Sequence, residues 1–277
     1  MREGPGGDRA LDCYAAVLGL EGEVSPPHAA EEAALLQLIG ECCPEIPVAV
    51  LRRRLGSLRV AAASRVRAMA AAEAGLRRGG GPVEVLARRH PHLGFFGLEE
   101  LQLTHPRFDG SRSARLLREV FVAGDAVTVL PYDPRRDRVL LVEQFRMGPF
   151  GRGDPLPWQL EAIAGRIDPG ETPEAAARRE AVEEAGLVLG ALEKVAEYYP
   201  TPGAVTEYLY SYVASCDLPD GVAGLFGAAG EAEDIRGQLV PFDRLLAAVA
   251  AGEIGNAPLL LTVLWLQRER ERLRAAG

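Results

Sequence analysis

G-R-I-D-P-G-E-T-P-E-A-A-A-R-R-E-A-V-E-E-A-G-L, residues 165 to 187, sets five glutamates and three glycines within 23 positions. Gly165 and Gly170 come before Glu171. Thr172-Pro173 then reads as a helix start, a hydroxyl N-cap followed by a proline at the first helical position, where its missing N–H costs nothing. Gly186 is a natural helix stop. On such a helix Glu180 and Glu184 are four apart and Glu183 is three from Glu180, so their carboxylates gather on neighbouring turns. Unrelieved, like charges at that spacing weaken a helix by roughly a few tenths of a kcal/mol per pair. The economical relief is a hard cation with oxygen ligands, Mg²⁺ or Mn²⁺. A solvated surface helix rich in Ala, Glu and Arg requires neither the glycines at both ends nor the glutamate ahead of the cap.

The bulk of the chain narrows the class. Its 277 residues suit one large domain or two modest ones, and 48% hydrophobic with 25% charged residues is ordinary for a globular protein. A net charge of −8 argues against a nucleic-acid partner. Cys13, Cys42, Cys43 and Cys216 show no C-x-x-C spacing and no clustered histidines, so they read as reduced thiols in a cytoplasmic protein. The N-terminus lacks an apolar signal region and no stretch reaches about 18 apolar residues without a charge, which disfavours secretion and membrane spanning.

From Pro26 to about Arg78, apolar residues at helical spacing, among them Leu35, Leu38, Ile39, Leu51, Leu55 and Leu58, fit two or three helices broken near Pro44 and Pro47. His28 and Arg52-Arg53-Arg54 read as surface residues. Gly79-Gly80-Gly81-Pro82 marks a linker or turn, so residues 1–80 form a helical extension and 81–277 the main domain. Beyond it, strands are expected at 83–86, 98–104, 116–122, 126–132, 138–145, 192–199, 208–216 and 235–241, with helices at 242–251 and 257–275. Gly221 to Gly230 reads as a flexible loop. Strands around one central helix, with helices at the end, point to an α/β fold of the α/β/α sandwich type with a mixed sheet.

Gly165, Glu171, Arg179, Glu180, Glu183, Glu184, Gly186 and Leu187 fill the order G-x5-E-x7-R-E-U-x-E-E-x-G-U, in which U is a bulky aliphatic. The order resembles the box of the Nudix hydrolase superfamily. Ala181, at the first U, departs from it in bulk and leaves every charged position intact. The flanks L-L-V-E-Q-F-R (140–146), W-Q-L-E-A-I-A-G (158–165), Y-Y-P-T-P-G (198–203), E-A-E-D-I (231–235) and G-N-A-P (255–258) are similar to the ADP-ribose pyrophosphatase branch. H-P-R-F-D-G (105–110) and T-P-G-A-V-T-E-Y-L-Y (201–210), together with the extension, are also similar to Nudix proteins named for tellurite resistance.

This resemblance implies Mg²⁺-dependent hydrolysis of ADP-ribose to AMP and ribose 5-phosphate. It implies Glu180, Glu184 and the backbone carbonyl of Ala164 as the main metal ligands, with Glu171 and Glu183 secondary. Arg179 would orient the box carboxylates. Arg118 and Arg146 match substrate-facing arginines, for which a planar, bidentate guanidinium suits both adenine and phosphate. Glu161 matches a residue at the substrate and a terminal ribose; Glu207 is a further substrate candidate, although Ala204 stands where many relatives keep a second glycine. Glu231 matches the general base on a loop far from the box, with Glu233 assisting the metal; the reverse pairing stays open. Family members commonly form homodimers by exchanging N-terminal strands, so that Arg118 can serve the partner's site. Hydrolysis of another nucleoside diphosphate sugar, such as GDP-mannose, is the alternative enzyme, and a non-catalytic ADP-ribose sensor the alternative class.

Overall fold

Cys13, Tyr14 and Val17 line one buried stripe of α1 (Gly6–Leu18), a helix ahead of the segment expected to be helical. The structure is a computed structural model and describes residues 6–22, 24–70, 81–227 and 234–276. The expected helical segment forms α2 (Ala30–Cys42), α3 (Val48–Arg53) and α4 (Leu55–Met69). Three antiparallel strands follow, β1 (Glu84–Leu93), β2 (Gly97–Thr104) and β3 (Leu116–Val122). β1 runs past the expected Leu86 because a register shift between Arg89 and His92 takes up Pro91. These helices and strands belong to one compact unit, Met1–Asp125 with Asp168–Gly170 and Thr201–Glu207.

The expectation of four reduced cysteines is corrected by the structure: Cys13 and Cys43 form a disulfide, their Cα atoms 6.5 Å apart. The pairing joins α1 to the end of α2 across 30 positions, a contact that spacing along the chain does not carry. Burial pushes the neighbouring Cys42 thiol up to about 12, which keeps it protonated. Arg67 Nε and Ser64 Oγ, on α4, both donate to the buried Asp125 carboxylate.

The second unit comprises Ala126–Ile167, Glu171–Pro200 and Tyr208–Gly277. Its elements are β4 (Ala126–Asp133), β5 (Arg138–Phe145), α5 (Met147–Arg152), β6 (Trp158–Glu161), β7 (Ile163–Arg166), α6 (Pro173–Ala185), β8 (Leu192–Tyr198), β9 (Leu209–Ser215), β10 (Leu225–Phe226), β11 (Ile235–Pro241), α7 (Phe242–Ala251) and α8 (Ala257–Ala276). The sheet order is β10-β11-β5-β4-β9-β8, with β4–β9 parallel and its other neighbours antiparallel. β10 lies inside the expected flexible loop. No helix among the described residues is long and apolar enough to cross a membrane.

β4 and β5 are apolar at successive positions, the pattern of strands covered on both faces. Val127, Val129, Leu140 and Val142 pack with Ala176, Ala177, Ala181 and Ala185 of α6. On the opposite face Leu130, Tyr132, Val139 and Leu141 pack with Phe242 and Leu245 of α7 and Leu259, Val263 and Leu266 of α8. The result is the expected α/β/α sandwich with a mixed sheet. β4 and β5 pair only at Tyr132–Val139 and Asp133–Arg138 and then diverge. The segment 158–166 fills the gap, β6 on β5 and β7 on β4, and this wedge brings Glu161, Ala164 and Gly165 into the middle of the sheet.

Ala181 is fully buried under α6, so the small residue in place of a bulky aliphatic sets how closely the helix approaches the sheet. Ala181→Leu is expected to overpack this layer and destabilise the fold by about 1–3 kcal/mol. Urea unfolding measures it, and an unchanged midpoint would show that a cavity accepts the larger side chain.

Candidate active site in the second unit

α6 begins and ends where its sequence demands. Thr172 has extended backbone and its Oγ1 accepts from the Ala175 N–H at 3.2 Å; Pro173 follows at the first helical position. Gly186 closes the helix at φ 61°, with Gly186 N–H on Val182 O at 3.0 Å and Leu187 N–H on Ala181 O at 2.9 Å. A side chain would be strained at that positive φ.

Between these caps the acidic residues converge. The Arg179 guanidinium donates to both Glu171 oxygens at 3.1 and 3.0 Å, to Glu180 Oε1 at 2.7 Å, to Glu183 Oε2 at 3.1 Å and to the Arg166 carbonyl at 2.9 Å. Hydrogen bonds to Glu171, joined by those to Glu180, hold the guanidinium charged well above the ordinary arginine range, although its partial burial acts the other way. Glu184 is buried, and its Oε2 accepts the Ala164 N–H of β7 at 3.1 Å.

Gly165 has a specific reason to be glycine: a Cβ there would lie 1.8 Å from Glu180 Oε1 and 1.9 Å from its Cδ. The Glu180 carboxylate therefore occupies the cradle that a side chain on β7 would fill. Glu171, Glu180 and Glu183 meet on the Arg179 guanidinium, and with Glu184 four residues beyond Glu180 they are oxygen donors of the kind a hard divalent cation takes.

A second polar group sits just after β5, at the end of β6 and just ahead of α8. Arg146 donates to Glu161 Oε2 through Nε at 2.9 Å and Nη2 at 2.6 Å, and Asn256 Nδ2 donates to Glu161 Oε1 at 2.8 Å. Glu161 is buried. In sequence Asn256 stands only within a flanking motif; its contact spans 95 positions, and no local spacing discloses it. The same unit holds a cleft of about 330 Å³, lined by Glu143, Trp158, Leu225, Asp234 and Arg236, a volume at the small end of ligand sites.

The remaining residues singled out in sequence fall elsewhere. Arg118 is exposed on β3 of the first unit, where its Nη1 donates to Leu117 O at 2.8 Å, and Glu207 ends the Thr201–Glu207 segment of that unit. Glu231 and Glu233 lie outside the described residues. The first unit also gathers Glu41, His90 and Glu99, with one ligand atom from each within 4.8 Å of the others. Arg65 and Arg88 pair with both carboxylates there, at 2.6 to 3.3 Å, as Arg179 does with the glutamates of the box. Burial raises the Glu99 pKa, but contact with His90 and the charges of Arg88 and Arg65 outweigh it and hold the carboxyl below its usual range.

The NUDIX domain family model matches residues 122–262. An ADP-ribose pyrophosphatase of Escherichia coli (strain K12) is 38% identical over 192 residues, covering 69% of this chain and 91% of that protein. A GDP-mannose pyrophosphatase of Cronobacter sakazakii is 35% identical over 185 residues, 67% of this chain and 95% of that protein. A solved structure described as an ADP compounds hydrolase is similar in fold, with a TM-score of 0.55 at 20% identity over 73% of this chain and 99% of the other. With the box helix capped at both ends and the Glu180 carboxylate lying over Gly165, the chain belongs to the Nudix family.

Proposed function

We propose that the protein hydrolyses the pyrophosphate of ADP-ribose to AMP and ribose 5-phosphate. The observation that carries this reading is the 38% identity to an ADP-ribose pyrophosphatase, and the meeting of Glu171, Glu180 and Glu183 on the Arg179 guanidinium supports a cation site within it. Glu180 and Glu184, with the Ala164 carbonyl, would hold the cation, Mg²⁺ in the first instance, and Glu171 and Glu183 would lie around them. A bound divalent cation supplies neutralisation of the two phosphates and of the charge that develops at phosphorus. Arg179 orients the carboxylates. Arg146 and Glu161 contact the substrate, and Arg118 and Glu207 add to that contact. Glu231 takes the proton of the attacking water and Glu233 assists at the cation.

The β1–β3 sheet supports a homodimer. A three-stranded sheet that leaves apolar side chains open calls for a covering partner, and Leu117 and Phe121, on one face of β3, are 52% and 44% exposed. In that arrangement Arg118 of β3 serves the partner's site. Residues 1–80 act as a structural extension: Glu41, Arg65 and Arg67 pair with Arg88, Glu99 and Asp125. A cytoplasmic setting belongs to the same reading, and the Cys13–Cys43 bridge is the observation that weighs against it.

Relatives named for GDP-mannose keep that substrate as the second reading. Competition kinetics in one vessel decide between them: ADP-ribose is expected to be preferred by at least about tenfold in kcat/KM, roughly 1.4 kcal/mol in transition-state binding. Equal consumption, or faster loss of GDP-mannose, would leave only the hydrolase reading.

A further inference from the structure

Asn256 carries two jobs on one carboxamide. Its Oδ1 accepts the Leu259 N–H at 2.9 Å and so caps α8, whose Leu259, Val263 and Leu266 are buried in the core. That contact fixes the orientation of the amide: with the oxygen committed to a backbone N–H, the NH₂ must face Glu161, which as a carboxylate can only accept. Asp or Ser would cap the helix as well, but neither can donate to Glu161 across the same gap: Asp presents a second carboxylate and Ser is too short.

Glu161 is thereby held from both sides, Oε1 by Asn256 and Oε2 by Arg146. We infer that Asn256 is a positioning residue for the substrate side of the site, fixing through Glu161 the plane in which Arg146 presents its guanidinium. The geometry makes α8 the fixed reference for the pair. The helix is anchored against the sheet face opposite α6, while Arg146 follows the end of β5 and Glu161 ends β6. This inference rests on the proposal that Arg146 and Glu161 contact the substrate.

The test compares Asn256→Ser and Asn256→Asp with Glu161→Gln and Arg146→Ala, each assayed for kcat and KM on ADP-ribose and for Tm. Asn256→Ser retains a cap, so Tm is expected to stay near that of the parent while KM rises about tenfold, the loss of one hydrogen bond to a charged group, with kcat little changed. Asn256→Asp keeps the cap and sets two carboxylates against each other, where the parent has a donor facing an acceptor. Its KM is therefore expected to exceed that of Asn256→Ser with Tm near the parent, a split that helix capping alone does not produce. If Glu161→Gln and Arg146→Ala leave KM unchanged, the substrate-side reading fails and takes this inference with it. If they raise KM while both Asn256 variants keep the parent value, or lower only Tm, Asn256 is a helix cap and the inference alone is overturned.

Discussion

Glu184→Gln is expected to keep the fold and to lower kcat on ADP-ribose at least about a hundredfold. Glu184 is 3% exposed and accepts the Ala164 N–H at 3.1 Å, a bond that the amide oxygen of glutamine can take over at nearly equal volume. Stability should hold or rise slightly, because the change removes a like charge four residues from Glu180. What disappears is one negative charge among the box glutamates, and with it affinity for a hard cation. The measurement is kcat against Mg²⁺ concentration, with Tm recorded on the same preparation. Activity within about threefold of the parent at saturating Mg²⁺, well under 1 kcal/mol in barrier height, would remove Glu184 from the proposed ligands.

Local order in the chain makes most of this site legible. Caps and charge spacing on α6 act within a few residues, so Thr172, Pro173 and Gly186 mark its ends and the glutamates their common face before any tertiary contact is known. β3, β5, β11 and α7 likewise carry patterns strong enough that their observed bounds coincide with the expected ones. The segment 158–166 does not read as strands because its two pieces are four residues each, and they pair only where β4 and β5 splay apart. That divergence is a property of the sheet and of no single stretch. The same holds for Cys13 with Cys43, for Asn256 with Glu161 and for the Arg65 and Arg88 pairs, which join elements far apart in the chain. α1 lies ahead of the segment expected to be helical, although its Leu11, Tyr14 and Leu18 keep helical spacing.

Gly165→Ala is expected to separate activity from stability. The new Cβ would stand 1.8 Å from Glu180 Oε1, but the atoms it meets are the far end of a flexible side chain and no backbone is among them. The strand and helix can stay in place while the Glu180 carboxylate swings off β7. Tm should therefore change little. The Glu180 carboxylate, a proposed ligand, leaves its place over β7, so kcat is expected to fall about 10–100-fold, the range found when the supports of a metal site are disturbed, and the Mg²⁺ requirement to rise. Gly170→Ala provides the opposite case. Gly170 sits at φ 75° with nothing within 4 Å of where a methyl group would stand, so alanine costs about 1 kcal/mol of backbone strain and touches no carboxylate. One variant should lose activity and hold Tm, and the other should lose Tm and hold kcat. If Gly165→Ala keeps kcat within about threefold of the parent, the carboxylate of Glu180 is not needed where it lies over β7. The cation would then have to be assigned to Glu184 and the remaining box glutamates without it.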